Sequence, residues 1–222
     1  MARKHRQYEN NYPSVTTVLG ILNNPALNQW FIKNTPEFIR RESGKGRTIG
    51  TDIHKAIETY ITTGQAVVDT QYPEEVTCAL HSFIKFKKEN PTIDLKWSEQ
   101  ALTRDGIGEQ PFNGTIDCVG SLDNGHNLIP LILDWKSGKA GDKDKPDIYD
   151  SYKYQVSAYV YLYNYDKKME EMIRRAIIVS IAKDKVAYNT YDMESTEISY
   201  CFNEVFLPAL KIYNYTHQKK EK

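Results

Sequence analysis

The spacing of apolar residues changes near position 90 of this 222-residue chain, and this change limits the folds that the sequence can adopt. Before it, apolar residues recur every three or four positions at 53–61 and at 76–84, which is typical of amphipathic helices. After it, alternating or short apolar runs between Gly, Asn and Asp turns predict strands at 95–103, 112–122 and 128–135. The N-terminal region, about 1–90, is therefore predicted to be helical, with a sheet beyond it.

The ends of the chain complete the pattern. Two shorter helices are predicted at 15–22 and 27–41, with Pro36 as a candidate break. After the third strand and a polar segment that predicts a mobile loop, the pattern predicts a helix at 152–165, strands at 175–182 and 185–191, and a last helix at 198–209 with Pro208 as a candidate kink. This order predicts an α/β fold, with a central sheet of about five strands flanked by helices.

Composition excludes several classes of protein. The chain carries 29 Lys and Arg against 29 Asp and Glu, which argues against a protein that coats nucleic acid but not against a local basic groove. No apolar run approaches the ~20 residues that span a bilayer, so we expect no membrane association. Its three cysteines are far apart and odd in number, which argues against a disulfide framework or a four-thiolate metal site.

The stretch LILDWKSGK, at 131–139, places two charged residues at the end of an apolar strand. Asp134 and Lys136 are two positions apart, so on a strand they point to the same face. Alone, such a pair is more often an ordinary ion pair at a strand end than part of a functional site. Its meaning depends on which other side chains reach the same place.

Asp117, in the stretch GTIDCVG, is the first such neighbour, and the register of its hairpin decides whether it joins the pair. A two-residue turn at 124–125 or a four-residue loop at 123–126 puts Asp117 opposite Ile132 and diagonal to Asp134, on one face. An odd-length loop without a bulge would put the two aspartates on opposite faces.

Two carboxylates and an ammonium at one strand end suit phosphate chemistry. Hard oxygen ligands hold Mg²⁺ or Mn²⁺, which neutralises phosphate charge and lowers the pKa of a bound water. The Lys136 ammonium can position that water or stabilise developing charge. Glu99, in the preceding strand, is a candidate third carboxylate.

Two helical segments add polar residues. His54 lies one position off the apolar stripe of its helix, with Glu58 one turn beyond, and Gln155 and Tyr159 are four apart and so share a helix face. Each has an ordinary structural interpretation, as a packed histidine or as a helix edge.

Together and in this order, these residues resemble the motifs of the PD-(D/E)XK nuclease superfamily, in its RecB-like exonuclease branch. The five elements are Gly50 to His54, Glu99, Gly114 with Asp117, Asp134 with Lys136, and Gln155 with Tyr159. The likeness covers about 12–190 and includes the stretches YPSVTTVL and YQVSAY. Within the branch, the sequence resembles the mitochondrial genome maintenance exonucleases and their phage and bacterial relatives. It implies a restriction-endonuclease-like core, with a mixed central sheet, in a single nuclease domain over 1–222.

The resemblance implies roles for the matching residues. His54, Asp117 and Asp134 would bind the metal, and Lys136 would orient the attacking water and stabilise the transition state. Glu99 would complete the catalytic set, with Glu109 and Glu58 as alternatives for that glutamate. Gln155 and Tyr159 would contact DNA or brace the lysine.

The implied activity is Mg²⁺- or Mn²⁺-dependent hydrolysis of DNA at free single-stranded ends, in replication, recombination or repair. An endonuclease, or an inactive DNA-binding member of the fold, is the alternative. The cysteines do not fit the iron–sulfur pattern of some cousins, so no cluster is expected. The short segment before Tyr12 favours a cytoplasmic bacterial or phage protein, and a monomer is the expected state. Basic residues are expected along a cleft beside Asp134, among them Lys139, Lys143 and Lys153.

Overall fold

The elements follow the predicted order. The computed structural model describes residues 12–22, 25–67, 72–107 and 110–217. The helices are α1 (Val15–Leu19), α2 (Pro25–Lys33), α3 (Pro36–Thr63), α4 (Glu74–Glu89), α5 (Asp150–Asn164), α6 (Ser195–Tyr200) and α7 (Leu207–His217). The strands are β1 (Ile93–Ile107), β2 (Gln110–Asp123), β3 (Leu128–Gly138), β4 (Arg175–Ala182) and β5 (Tyr188–Glu194).

The five strands form one mixed sheet in the order β1-β2-β3-β4-β5. Neighbouring strands are antiparallel except β3 and β4, which are parallel and are joined through α5. A parallel pair requires such a crossover because its strands start at the same edge. The mixed sheet with flanking helices confirms the predicted α/β class and is consistent with a restriction-endonuclease-like core.

Helices cover both faces of this sheet. On one face, α3 and α4 pack Ile53 and Phe83 against Leu133 of β3. On the other, α5 and the C-terminal helices pack around Ile132, the next residue of the same strand. Because successive strand residues point to opposite faces, β3 is buried between two apolar clusters. Its far end can then hold charged groups in a water-poor environment.

The predicted break at Pro36 is confirmed, and the helix beyond it is longer than its apolar stripe indicates. Thr35 caps α3 by accepting a hydrogen bond from Phe38 N at 3.4 Å, and Pro36 fits the first turn because its missing N–H has no partner there. The helix runs for 28 residues to Thr63 and is capped by Gly64, whose φ of 70° glycine adopts readily.

The last helix contains the predicted irregularity. A π-helical turn at Cys201–Phe206 separates α6 from α7, whose second residue is Pro208. Proline cannot donate the backbone hydrogen bond that a regular α-helix needs at that position, so the widened turn lies where the ladder is interrupted.

Two further findings concern exclusions made from composition. Within the described ranges, no helix combines the length and apolar character needed to cross a membrane. The three cysteines are free, with Cys118 and Cys201 buried and Cys78 half-buried.

Candidate active site

Three carboxylates occupy one row across the first three strands. Glu99 of β1 lies across from Asp117 of β2, between two regular β1–β2 pairs. The β2–β3 pairing ends with Cys118 opposite Leu133, so one further step in the same register sets Asp117 opposite Asp134. Regular strand pairing is interrupted at this row, which leaves room for the three carboxylate side chains to approach one another.

The register of this hairpin corrects the sequence prediction. Val119, not Asp117, lies opposite Ile132, and Asp123 pairs with Leu128 around a four-residue turn at 124–127. The Asn124 side chain stabilises this turn, since its Oδ1 accepts hydrogen bonds from the two backbone N–H groups that end it. The turn therefore lies one residue later than predicted, and the pairing shifts by two. Because the shift is even, Asp117 comes directly opposite Asp134 instead of diagonal to it.

The backbone is distorted where the carboxylates meet. Glu99 has a φ of 55°, the only positive value for a non-glycine residue in the described ranges. In β2, Ile116 and Val119 both pack on the α5 side, whereas Cys118 packs on the α3 side. The regular alternation of side chains between the two faces of the sheet is therefore interrupted at Asp117. Backbone strain of this kind is costly and concentrates at functional sites.

His54 of α3 brings these carboxylates together. Its Nδ1 is 3.5 Å from Asp117 Oδ1 and 3.7 Å from Glu99 Oε1. One potential ligand atom from each of His54, Glu99 and Asp117 lies within 4.8 Å of the others. Asp117 is held in place from the opposite side, because its Oδ2 accepts the Trp135 N–H at 3.0 Å.

The histidine and the aspartate strengthen each other's charge. Burial alone lowers the pKa of His54, but the charge and hydrogen bond of Asp117, with a hydrogen bond to Glu99, raise it to about 10. Burial alone raises the pKa of Asp117, and the charge and hydrogen bond of His54 outweigh it, so that this pKa lies below its usual range. Without a cation, the site is a protonated histidine between carboxylates.

Asp134 and Lys136 form the second part of the site. Lys136 Nζ is 2.5 Å from Asp134 Oδ2, and the Asp134 side chain is 0% exposed. Its Oδ1 is buried without a hydrogen-bond partner in the described structure. Burial, followed by the charge of Asp117, raises the pKa of Asp134 despite the opposing effect of Lys136. A buried carboxylate oxygen without a donor is expensive unless a cation or substrate group satisfies it.

The sequence did not point to Tyr152, which is nevertheless in contact with the lysine. The Lys136 ammonium lies over the Tyr152 ring, 5.4 Å from its centre, in cation–π range. Tyr152 precedes Gln155 by three residues on α5, so the i, i+3 rule could have placed it on the same helix face. Tyr152 does not stand out in the sequence because it is one of several tyrosines on α5.

Gln155 and Tyr159 form a pair of their own. Gln155 Nε2 donates to Tyr159 Oη at 2.8 Å, and the Tyr159 ring is buried against β2. A Cβ on Gly114 would lie 2.9 Å from Tyr159 Cε1 and 2.6 Å from Leu162 Cδ1. The glycine of the Gly-x-x-Asp pattern therefore lets α5 pack closely on β2, next to the site.

A basic cleft beside Asp134 stays a prediction, and two of the lysines expected to line it form ion pairs with acidic residues. Lys143 is exposed and pairs with Asp147 at 2.7 Å, and the Lys153 ammonium lies over Tyr191 and 3.4 Å from Glu197. These contacts hold both lysines to other partners. Lys139 is exposed just beyond β3 and adds to the positive field at Lys183, whose pKa is lowered by burial and by that neighbouring charge. A role of Lys139 or Lys153 in DNA binding stays a prediction.

The donor set suits a hard divalent cation. Carboxylate oxygens with one imidazole nitrogen are ligands for a divalent cation, and Asp134, whose Oδ1 is buried, occupies the neighbouring strand position of the same row. Of the alternatives to Glu99, Glu109 lies outside the described residues and Glu58 remains one turn along α3 from His54. Glu99 is the glutamate that reaches His54.

Comparisons with known proteins give little further information. No protein-family model matches the chain, and no curated protein matches it. The solved structure of SSO0001 is similar with a TM-score of 0.39 and 15% identity, over 77% of this chain and 75% of that chain. A phage-related exonuclease from Haemophilus somnus 129PT is similar with a TM-score of 0.40 and 13% identity, over 94% of this chain and 96% of that chain. Similarities this weak carry no inference about activity, which rests on the site itself.

Proposed function

We propose that this protein is a divalent-metal-dependent nuclease that hydrolyses phosphodiester bonds in DNA, as a member of the RecB-like branch of the PD-(D/E)XK superfamily. One observation carries the proposal. A histidine and two carboxylates with ligand atoms within 4.8 Å of one another adjoin a buried Asp134–Lys136 pair, in the order in which the family motifs occur. A structural ion pair alone would not need this second cluster beside it.

In this proposal, His54, Glu99 and Asp117 hold the cation. Asp134 lies outside that group and would join it through its unsatisfied Oδ1. When bound, the cation would neutralise phosphate charge and lower the pKa of a coordinated water. The residues contribute a rigid, largely buried frame, since Asp117 is fixed to the backbone of Trp135 and His54 to a long helix.

Lys136 is the residue proposed to act on the reacting phosphate. Its ammonium is held between the Asp134 carboxylate and the Tyr152 ring, so it needs little reorganisation as charge develops. Transfer of positive charge to the phosphate oxygens would stabilise the transition state, and the same ammonium can orient the attacking water. Gln155 and Tyr159 are proposed to contact the strand from α5.

The proposed substrate is a DNA strand with a free single-stranded end. A direct test compares an end-labelled linear single strand with a circular single strand, each with Mg²⁺ or Mn²⁺. We expect stepwise degradation of the linear strand alone. Cutting of the circle would instead establish an endonuclease, and binding of either strand without hydrolysis would establish an inactive DNA-binding protein.

Matched variants assign the activity to the site. Lys136→Ala should lower the single-turnover rate by roughly 10²-fold or more, because a positioned charge at the transition state is removed. Lys211→Ala removes an exposed lysine from α7 and should leave the rate unchanged. Equal rates for the two variants, with equal melting temperatures, would refute the proposed role of Lys136.

A further inference from the structure

Two tyrosines connect the proposed catalytic lysine to the protein surface. Tyr152 lies against the Lys136 ammonium, and the Tyr149 ring meets Tyr152 edge to face, with centroids 5.3 Å apart at 80°. Tyr149 is 55% exposed, whereas Tyr152 is half-buried. The Tyr149–Tyr152 pair therefore continues outward from the reacting end of the site to a ring that solvent reaches.

The pair is held in a fixed geometry. Tyr149 is the N-cap residue of α5 and Tyr152 lies in the first turn of the helix, where Tyr152 N donates to Tyr149 O at 3.0 Å. Two hydrogen bonds fasten the residues just before α5 to the sheet. Ser180 Oγ donates to Asp147 O at 3.0 Å, and Asn189 Nδ2 donates to Pro146 O at 3.1 Å. An exposed aromatic ring on a fastened backbone costs little further ordering when a ligand stacks on it.

Ordinary packing does not account for the position of Tyr149. A buried aromatic contributes to stability through the area that it removes from water, yet more than half of this ring remains exposed. Its ring contact is with Tyr152, whose ring also faces the Lys136 ammonium. A nucleotide has a flat base and a charged phosphate. The exposed Tyr149 ring suits the base, and the nearby Lys136 ammonium suits the phosphate.

We propose that Tyr149 stacks an unpaired base of the nucleotide next to the phosphodiester at Lys136, with Tyr152 supporting both the ring and the ammonium. This inference rests on the proposed function and gives it a source of single-strand selectivity. Every base presents a π-face when unpaired, so the contact is independent of sequence, whereas bases in a duplex are stacked on each other. Tyr149 is thus a specificity-determining residue and Tyr152 a positioning residue.

A substrate without the base tests this contact directly. Linear single strands carry one abasic residue at successive positions from the labelled end, and the rate of each cleavage step is measured for wild type and Tyr149→Ala. Wild type should slow roughly tenfold at the step adjoining the abasic residue, as expected for the loss of one stacked base. Tyr149→Ala should be slowed by a similar factor on intact DNA and should show no further slowing at the abasic residue.

Two control variants separate stacking from folding. Tyr149→Phe keeps the ring and should behave as wild type. Tyr215→Ala removes a tyrosine that is 80% exposed on α7, next to Asn214, which contacts Gln110 about 23 Å along β2 from Asp117. It should keep both the rate and the abasic effect. Equal sensitivity of wild type and Tyr149→Ala to the abasic residue would overturn the inference.

Affinity measurements distinguish this inference from the proposed function. Without a divalent cation, wild type should bind an intact single strand more tightly than one made abasic throughout, and Tyr149→Ala should lose that difference. Hydrolysis without any base dependence would overturn the role of Tyr149 and leave the nuclease proposal standing. Base-dependent binding without hydrolysis would support the role of Tyr149 and refute the nuclease.

Discussion

At the scale of single residues, the site is organised around a histidine held between carboxylates. Sequence motifs single out His54, Glu99, Asp117, Asp134 and Lys136. In the structure, His54 lies against Glu99 and Asp117, and Lys136 pairs with Asp134. The i, i+3 spacing places Tyr152 on the face of Gln155 but does not single it out, since its contact with Lys136 depends on how α5 lies on the sheet. Burial and mutual charge, which spacing cannot reveal, determine the protonation of these groups.

The first prediction concerns the proton on His54. Because its pKa is raised to about 10, His54 is protonated at pH 7, and a cation that uses Nδ1 must displace that proton. Binding of Mn²⁺ at pH 7 should release close to one proton, and the affinity should rise about tenfold per pH unit toward pH 9. Calorimetry in buffers of different ionisation enthalpy measures the release. Release of the same size in His54→Gln as in wild type would contradict this assignment.

The same shift makes the stability of the metal-free protein depend on pH. A raised pKa means that the folded state binds the proton more tightly than the unfolded state does. The stabilisation from His54 is therefore complete below its ordinary pKa of 6.5 and is lost as the pH rises toward 10. Relative to His54→Gln, the metal-free wild type should lose stability over that interval, as followed by urea unfolding. A constant difference between the two proteins would argue against the charged pair.

At the scale of elements, hydrophobic periodicity was sufficient to predict the order of helices and strands. It did not predict the register of β2 on β3, because the turn spans the four residues 124–127, where the Asn124 side chain accepts two backbone hydrogen bonds. Nor did it predict the length of α3, whose first half is exposed and lacks an apolar stripe. Hydrophobic periodicity underestimates the length of a helix such as α3, because capping and continuity with a packed segment stabilise its exposed half.

Close packing of α5 on β2 gives a prediction at this scale. Gly114→Ala should destabilise the fold by about 1–3 kcal/mol, because a Cβ there would overlap Leu162 and Tyr159. Gly46→Ala is the matched control: it lies within α3 with no atom within 4 Å of an added Cβ, and it should stabilise by up to ~1 kcal/mol. Urea unfolding measures both changes. Similar effects of the two substitutions would show that α5 does not constrain position 114.

At the scale of the whole molecule, zero net charge coexists with a concentrated acidic site. The carboxylates around His54 account for part of the negative count, and several lysines are neutralised by neighbouring acids. A cation that binds the folded state alone raises stability by mass action, by about 2.7 kcal/mol at 100 times its Kd. Mn²⁺ should therefore raise the melting temperature of wild type and have much less effect on Asp117→Asn. An equal rise in both proteins would place the cation elsewhere.

The most direct test of the central claim is the single-turnover rate of hydrolysis of a linear, end-labelled DNA single strand by wild type and Asp117→Asn, with Mn²⁺ and with chelator. If the Asp117 carboxylate helps to hold the cation, wild type should hydrolyse the strand only when Mn²⁺ is present. Asp117→Asn should then fold as wild type does and hydrolyse the strand at least roughly 10²-fold more slowly. Hydrolysis that continues in chelator, or an unimpaired Asp117→Asn, would contradict the assignment of this site as a metal-dependent nuclease centre.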